Sequence, residues 1–267
     1  MLYLSPALTA YILIISFVLG TVMGSFSNCL AWRVTHGESV LKGRSHCDAC
    51  GHTLSPGELI PVISWMVQGG KCRRCGAKIS VSCPLTELLT GIAFVLVVAV
   101  FDVTPAAAMY IVLTLILLIA SLTDIYGGII PDALIIAAII DFVLFTCIGG
   151  GDILRALLRG FAGGALVAAA LLLLSLFMDR LLGRDSMGGG DIKLLFAAGL
   201  FFPLFESLFT LILACVLGII FALVFPRARA RSSDDEKAFP FGPAIAAAMF
   251  VSIFLAEPAT AFYLNLF

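Results

Sequence analysis

Long apolar runs separated by short polar joints dominate the chain. They predict membrane spans at residues 8–31, 85–101, 106–124, 130–148, 155–178, 192–204, 207–225 and 241–257. Most of these runs approach the roughly 20 residues that a helix needs to cross about 30 Å of hydrocarbon. The sixth run is short, and its boundaries are poorly marked. The pattern predicts an all-α, polytopic membrane helix bundle of about eight spans.

The composition supports this architecture. Hydrophobic residues make up 61% of the 267 residues and charged residues only 12%, whereas soluble domains carry about 25% charged residues. A soluble globular protein with so few charges could not cover its surface. The first apolar run is too long for the core of a cleavable signal peptide and lacks a basic leading segment. We therefore expect it to remain as a membrane span.

The distribution of Lys and Arg predicts the orientation. Fourteen of these cations fall in segments on one side of the membrane, and only Arg155 and Arg159 fall on the other. Because cytoplasmic loops carry the excess of positive charge, the fourteen-residue side is predicted to be cytoplasmic, with both termini facing outward. The fourteen are Arg33, Lys42, Arg44, Lys71, Arg73, Arg74, Lys78, Arg180, Arg184, Lys193, Arg227, Arg229, Arg231 and Lys237.

Only residues 32–84 are polar and long enough to form a separate module. The sequence therefore predicts three parts. Residues 1–31 form the first transmembrane span, residues 32–84 form a cytoplasmic loop, and residues 85–267 form a membrane-embedded core.

Two Cys-x-x-Cys pairs mark this loop, Cys47 with Cys50 and Cys72 with Cys75, separated by 21 residues. Four thiolates from two such turns can surround Zn²⁺ tetrahedrally, and the Gly that follows each pair permits a tight turn. A reducing compartment argues against structural disulfides, while a redox pair or free thiols remain alternatives. A closed four-sulfur zinc-ribbon-like site would fold the loop rather than perform chemistry. The neighbouring His46 and His52 are interpreted as solvated.

Two aspartates at the predicted cytoplasmic face are candidates for catalysis. Asp124 ends the third span, and helix C-termini disfavour an anion, so a functional reason for its position is expected. Asp191 follows Gly188, Gly189 and Gly190 at the start of the short sixth span. Glycines there let the backbone come close to an extended peptide, and a broken helix at membrane depth is tolerated where it lines a cavity.

Other carboxylates have simpler interpretations. Asp132 follows Pro131 and suits a helix N-terminus, where a carboxylate is favoured. Asp141 lies inside the fourth span with no partner visible in the sequence and no assigned role. The carboxylates near span ends are mostly interpreted as interfacial charges: Glu87, Asp102, Asp179 and Glu206.

Asp124 and Asp191 both fall at the cytoplasmic edge, where they could act together. Two carboxylates close together cannot both ionise easily and so share one proton. The ionised member can take a proton from water while the protonated member polarises a scissile carbonyl group. This chemistry hydrolyses a peptide bond with no nucleophilic side chain and no metal.

The ordered motifs of the chain resemble those of the type IV prepilin peptidases, the bifunctional leader peptidases and N-methyltransferases of pilus, type II secretion and competence systems. The resemblance covers nearly the whole chain. The matching segments are residues 24–28 (GSFSN) with Arg33, the paired cysteine knuckles, residues 60–65 (IPVISW), residues 84–87 (PLTE), Asp124 with Pro131 and Asp132, residues 188–193 (GGGDIK) and residues 241–243 (FGP).

This resemblance implies an enzyme of the bacterial inner membrane with Asp124 and Asp191 in the two catalytic positions. It implies cleavage of the basic leader of prepilins or pseudopilins on the cytoplasmic side, then methylation of the new N-terminal residue with S-adenosylmethionine. The methyl-donor site rests on the resemblance alone, because the chain has no glycine-rich nucleotide fingerprint of the Rossmann kind. Membrane lipid is the expected surrounding, and no nucleic-acid partner is expected.

Three alternatives stay open at this point. An intramembrane protease of the presenilin kind would share the chemistry but lack the two cysteine knuckles. A transporter using Asp124, Asp141 and Asp191 as an ion relay would predict an inverted repeat, which the sequence does not show. A non-enzymatic scaffold would recruit partners through the zinc loop.

Overall fold

The computed structural model describes residues 5–40, 43–183, 187–224 and 240–265. Six of the cations used to predict orientation lie outside these residues: Lys42, Arg184, Arg227, Arg229, Arg231 and Lys237.

Nine α-helices account for most of the described residues. In chain order they are α1 (Pro6–His36), α2 (Ile63–Val67), α3 (Ser82–Phe101), α4 (Pro105–Gly127), α5 (Asp132–Gly149), α6 (Ile153–Leu182), α7 (Gly189–Phe201), α8 (Leu204–Val224) and α9 (Gly242–Leu264). No β-strand occurs in the described ranges, only two isolated antiparallel bridges in the cysteine loop. The prediction of an all-α architecture is confirmed.

Helix boundaries follow local sequence signals. The Ser5 hydroxyl accepts a 3.2 Å hydrogen bond from the Leu8 N–H, and Pro6 occupies the first helical position of α1. Both features are typical of helix starts. Helix α1 ends at Gly37, whose φ of +70° favours glycine. The helix therefore extends five residues beyond the predicted span, carrying the chain out of the apolar region.

Seven described helices are long and apolar enough to cross a membrane: α1, α3, α4, α5, α6, α8 and α9. The sixth predicted span, residues 192–204, corresponds to α7, which has only 13 residues. Such a helix is about 20 Å long and cannot by itself cross a 30 Å hydrocarbon layer. The short apolar run thus reflects a short helix.

The chain divides into two compact units, residues Met1–Ile111 and Val112–Phe267. In the first unit, α1 packs closely against α3. A Cβ atom added at Gly20 would lie 2.7 Å from the Gly91 Cα, and one added at Gly24 would lie 2.8 Å from the Thr90 hydroxyl. Small residues of this kind let membrane helices approach closely. The three-part division at residues 31 and 84 stays a prediction.

In the second unit, α7 runs antiparallel to α6. A Cβ atom at Gly164 of α6 would meet the Phe196 carbonyl oxygen at 2.8 Å, and Gly160, one turn earlier, lies against the Leu200 carbonyl, one turn later in α7. At Gly199 a Cβ atom would lie 2.5 Å from the Gly164 Cα. Glycines therefore allow the two backbones to touch.

Helices α8 and α9 are also antiparallel. The Thr210 hydroxyl donates a buried 2.7 Å hydrogen bond to Ser252, and Gly218, near the end of α8, lies against Phe241, just before α9. Together with the α6–α7 pairing, this arrangement gathers the starts of α7 and α9 at the same end of the unit. Helix α7 leads away from that end and is followed after two residues by α8.

Candidate functional site

Asp124 lies in the last turn of α4, the end of a helix that disfavours an anion. Its side chain is buried, with 8% exposed, and Oδ2 accepts a 2.8 Å hydrogen bond from the Gly242 N–H. Gly242 is the first residue of α9. The carboxylate is therefore held by the positive N-terminus of a second helix, which offsets the unfavourable position in its own.

Asp191 is the third residue of α7 and is half-buried. None of the three preceding glycines has a positive φ, so space rather than backbone conformation explains two of them. A Cβ atom at Gly188 would lie 3.3 Å from Asp191 Oδ2, and one at Gly190 would lie 3.1 Å from the Ile130 Cβ. Gly189 faces open space, with no atom within 4 Å of an added Cβ. Two of the three glycines therefore pack closely, Gly188 against Asp191 and Gly190 against Ile130. Gly189 has open space beside it.

The structure brings Asp124 and Asp191 together at one end of the second unit, where the charge of Asp124 acts on Asp191. Neither carboxylate forms a salt bridge with a described residue. Two neighbouring carboxylates without a cation between them share a proton readily. Such a pair can supply one proton acceptor and one proton donor at the same place.

A cation near the pair is bound elsewhere. Lys193 lies two residues after Asp191, and its ammonium group is 2.6 Å from Asp132 Oδ1. Asp132 is the first residue of α5, so its predicted place at a helix N-terminus is correct. The ion pair links the first turn of α7 to the start of α5 and directs the positive charge to Asp132.

Three contacts could not be predicted from the spacing of residues in the sequence. They are the Lys193–Asp132 ion pair, the hydrogen bond from Gly242 to Asp124 and the hydrogen bond from Val62 to Glu87. Gly242 belongs to a matching segment of the sequence, but nothing there indicates that its N–H binds Asp124. Glu87, interpreted as an interfacial charge, is buried with 8% exposed and accepts a 2.7 Å hydrogen bond from the Val62 N–H. Its position two residues beyond the start of the predicted span 85–101 is the one signal that could have identified it.

Asp141 has a different environment from the aspartate pair. It lies at the middle of α5, with 3% exposed, and neither side-chain oxygen has a hydrogen-bond partner among the described residues. The site geometry gives it no part in the pair, and its role stays unassigned.

The four cysteines of the first unit converge. The Sγ atoms of Cys47, Cys50, Cys72 and Cys75 all lie within 4.8 Å of one another, and Cys47 Sγ lies 3.8 Å from Cys75 Sγ. Four sulfurs at about 2.3 Å from a central Zn²⁺ would be about 3.8 Å apart in a tetrahedron. The donor set and the spacing therefore fit a four-coordinate thiophilic metal ion.

The two knuckles have the same backbone geometry. The N–H of Cys47 donates to the His52 carbonyl, and the N–H of Cys72 donates to the Ala77 carbonyl, each at 2.9 Å. Gly51 and Gly76 have φ values of +66° and +72°, so the predicted glycine turns are confirmed. Backbone N–H groups of Cys75 and Arg74 hold the pKa of the Cys72 thiol at about 6, which favours the thiolate that metals bind.

Comparison with known proteins gives two family matches along the chain. The Bacterial Peptidase A24 N-terminal domain matches residues 18–101, and the Type IV leader peptidase family matches residues 111–223. The first match contains the cysteine loop, and the second contains Asp124 and Asp191. No solved structure matches the chain.

Curated relatives cover most of the chain. A prepilin leader peptidase/N-methyltransferase of Myxococcus xanthus (strain DK1622) is 31% identical over 88% of this chain and 70% of its own length. That of Bacillus subtilis (strain 168) is 29% identical over 94% of this chain and 98% of its own length. That of Aeromonas salmonicida (strain A449) is 31% identical over 83% and 75% of the two chains. The chain belongs to the type IV prepilin leader peptidase family.

Proposed function

We propose that this chain removes the N-terminal leader of prepilins or pseudopilins, with Asp124 and Asp191 as its catalytic residues. The observation that carries the proposal is the juxtaposition of these two carboxylates, neither of which forms a salt bridge with a described residue, beside the glycine-rich start of α7. The names of the relatives support the substrate class.

The reaction is hydrolysis of a peptide bond. The ionised carboxylate takes a proton from a water molecule, whose oxygen attacks the scissile carbonyl carbon, while the protonated carboxylate donates a hydrogen bond to the carbonyl oxygen. The carboxylic acid that took its proton from water then passes this proton to the leaving amine, and the C–N bond breaks. The hydroxyl group formed from the carbonyl oxygen returns its proton to the second carboxylate, which restores the shared proton of the pair. The Gly242 N–H holds one oxygen of Asp124, which fixes the orientation of that carboxylate during the reaction.

The substrate-site loop is formed by Gly188, Gly189 and Gly190. Gly189 leaves open space at the start of α7, and an extended backbone segment can approach such a position closely. A prepilin has a basic leader followed by an apolar helix. That helix can lie in the bilayer beside the spans while the leader junction reaches the aspartates.

The charge distribution of the sequence supports a cytoplasmic location for the aspartate pair and for the cysteine loop. A bacterial inner-membrane enzyme in this orientation meets the leaders of its substrates on the cytoplasmic side of the membrane. Multi-pass insertion is supported by the seven long apolar helices.

Two further groups complete the proposal. Cys47, Cys50, Cys72 and Cys75 hold a structural zinc ion that folds the loop. S-adenosylmethionine supplies the methyl group for the amine exposed by cleavage, as the names of the relatives suggest.

The test is leader removal in membranes. The chain is co-expressed with a prepilin, and mass spectrometry reads the pilin N-terminus for wild type, Asp124→Ala and Asp191→Ala. We expect a trimmed and singly methylated product from wild type and intact leader from both variants. Asp152→Ala, at the exposed N-cap of α6, is the matched control and should process normally.

The outcomes separate the two activities. A trimmed product without a methyl group would support the proposed peptidase activity and contradict the proposed methyltransferase activity. Trimming by either aspartate variant would contradict its catalytic role.

A further inference from the structure

The cysteine loop exposes an apolar surface that the proposed chemistry does not use. Its members are 43% to 71% exposed and lie in and just before α2. We call this surface the apolar edge, and it consists of Leu59, Ile60, Ile63, Met66 and Val67. Clustered large apolar side chains on a polar segment usually mark an interaction site.

A strained turn fixes the orientation of the apolar edge. Val62 has a φ of 62° and a ψ of −52°, and the Ile63 N–H donates a 2.6 Å hydrogen bond to the Pro61 carbonyl. These are the features of a γ-turn of the rare, strained kind, which is especially costly for a β-branched residue. Strain of this kind persists only where surrounding contacts hold it.

The contact that holds this turn comes from a membrane-spanning helix. The Val62 N–H donates a 2.7 Å hydrogen bond to Oε2 of Glu87, a residue of α3 with 8% of its surface exposed. A charge-assisted hydrogen bond to a buried carboxylate is strong. The turn is therefore bound to α3 at a defined height along that helix.

The height of Glu87 places the turn at the hydrocarbon boundary. Helix α3 has 20 residues, about the minimum needed to cross 30 Å of hydrocarbon, so its first turn lies near that boundary. Glu87 is five residues beyond Ser82, about 7.5 Å along the helix axis, and helical side chains lean back toward the N-terminus. The Val62 amide is consequently held level with the outermost acyl chains.

The surroundings of the apolar edge match a lipid surface. Leu85, Leu88 and Leu89 of α3 are exposed in the same region, which continues the apolar surface into the span. The described part of the loop also carries an excess of cations, which suit anionic lipid headgroups. Its charged residues are Arg33, Arg44, Lys71, Arg73, Arg74 and Lys78 against Glu38, Asp48 and Glu58.

We propose that the apolar edge inserts into the boundary between the headgroups and acyl chains of the bilayer and anchors the cysteine loop to the membrane surface. Interfacial helices bury their apolar faces about 5–10 Å deep in this region. Glu87 acts as the positioning residue that sets the depth through Val62. This inference depends on the membrane spans and not on the aspartate chemistry.

Photocrosslinking tests the proposal directly. The full chain, loaded with zinc, carries p-benzoylphenylalanine at Val67 or, as a matched control, at Lys78, which is exposed on the second knuckle. Each protein is reconstituted in vesicles of phosphatidylethanolamine and phosphatidylglycerol and irradiated with and without a prepilin. Mass spectrometry then identifies the adducts. We expect lipid adducts at position 67 to exceed those at position 78 several-fold, whether or not the prepilin is present.

Other outcomes would overturn the proposal. Crosslinks from position 67 to the prepilin would make the edge a substrate-docking surface, and crosslinks within the chain would make it a packing surface. Equal lipid labelling at positions 67 and 78, or no lipid labelling at either, would contradict the proposal that the apolar edge anchors the loop to the membrane.

Variants of Glu87 test the positioning role. Glu87→Ala removes the acceptor for the Val62 N–H and should lower lipid labelling at position 67 several-fold. Glu87→Gln keeps a carbonyl oxygen and should largely preserve the labelling. Zinc content measured on the same samples shows whether the knuckles remain folded. If labelling is lost while zinc is retained, the loss reflects a changed depth of the apolar edge in the bilayer. Unchanged labelling in Glu87→Ala would contradict the role of Glu87.

Discussion

The cysteine loop and the aspartate pair are both built from close polar groups, but they are assembled in different ways. In the loop, each knuckle forms its own backbone hydrogen bonds within a few residues, and four thiols then meet. The aspartate pair needs the end of α4 and the starts of α7 and α9, which only helix packing brings together. The loop should therefore depend on its metal, and the pair on the fit between helices.

Replacing one of the four cysteines should have the largest effect, because it should disrupt the cysteine loop and leave the helices around the aspartate pair folded. We expect Cys72→Ser to lose the bound zinc, about one ion per chain in the wild type, because a closed site contributes about 10–16 kcal/mol of apparent binding free energy. The loop should become sensitive to protease while the helix bundle keeps its circular dichroism spectrum. Metal analysis and limited proteolysis in detergent measure both effects.

Cys215→Ser, at an exposed position on α8, is the control and should retain zinc. Zinc retained at wild-type stoichiometry in Cys72→Ser would show that the four thiols do not form the site.

Crowding the aspartate pair should affect catalysis without affecting zinc. A Cβ atom at Gly242 would lie 2.7 Å from Asp124 Oδ2, so Gly242→Ala must displace the carboxylate or the start of α9. Misplacement of a catalytic group by about 1 Å can cost about 100-fold in rate, and we expect a loss of that order in leader cleavage.

The matched change is Gly149→Ala at the last residue of α5, where an added Cβ meets no atom within 4 Å. In assays with a short leader peptide it should retain more activity than Gly242→Ala. Equal activity of Gly242→Ala and wild type would argue against the Gly242 contact.

Asp141 is buried like Asp124, but no hydrogen bond holds its carboxyl group among the described residues. Leucine has the same branching and no polar atoms, so Asp141→Leu removes two buried oxygens that lack hydrogen-bond partners among the described residues. We expect an increase of about 1–3 kcal/mol in the free energy of unfolding, with leader cleavage retained. A thermal unfolding series in detergent measures the change. Loss of cleavage in a folded Asp141→Leu protein would give Asp141 a function.

The ion pair between Asp132 and Lys193 should have the smallest effect. Both side chains are more than half exposed, and exposed ion pairs contribute about 0.2–1 kcal/mol. A double-mutant cycle with Asp132→Asn and Lys193→Met should give a coupling energy within this range, measured from the free energies of unfolding in detergent. A coupling well above it would mean that the pair fixes α7 in position.

The contrast between the two regions also explains what the sequence could predict. The knuckles repeat a local pattern, and their spacing alone predicted four converging thiols and two glycine turns. Apolar runs predicted seven of the helices because each must satisfy its backbone hydrogen bonds within the membrane. The bounds of α7 were predicted less well, because the apolar run at 192–204 has poorly marked ends. The helix spans Gly189–Phe201 and so begins and ends three residues earlier than the predicted span.

The candidate catalytic site was predicted less directly. Asp124 and Asp191 were singled out because charges in apolar runs are costly, and their pairing was predicted only from their shared position at the cytoplasmic edge. The Gly242 N–H, the binding of Lys193 to Asp132 and the burial of Glu87 follow from contacts between residues that are distant in the sequence. No local pattern specifies such contacts, so they require the folded structure.

The most direct test of the account is a kinetic comparison of purified Asp124→Asn, Asp191→Asn and the double variant in leader cleavage. If the two carboxylates act as a unit, each single variant should lose nearly all activity and the double variant should be no slower, because groups that act together are strongly non-additive. Zinc content should stay at the wild-type value in all three proteins. Substantial activity in either single variant, or losses that multiply in the double variant, would contradict a shared catalytic role for Asp124 and Asp191.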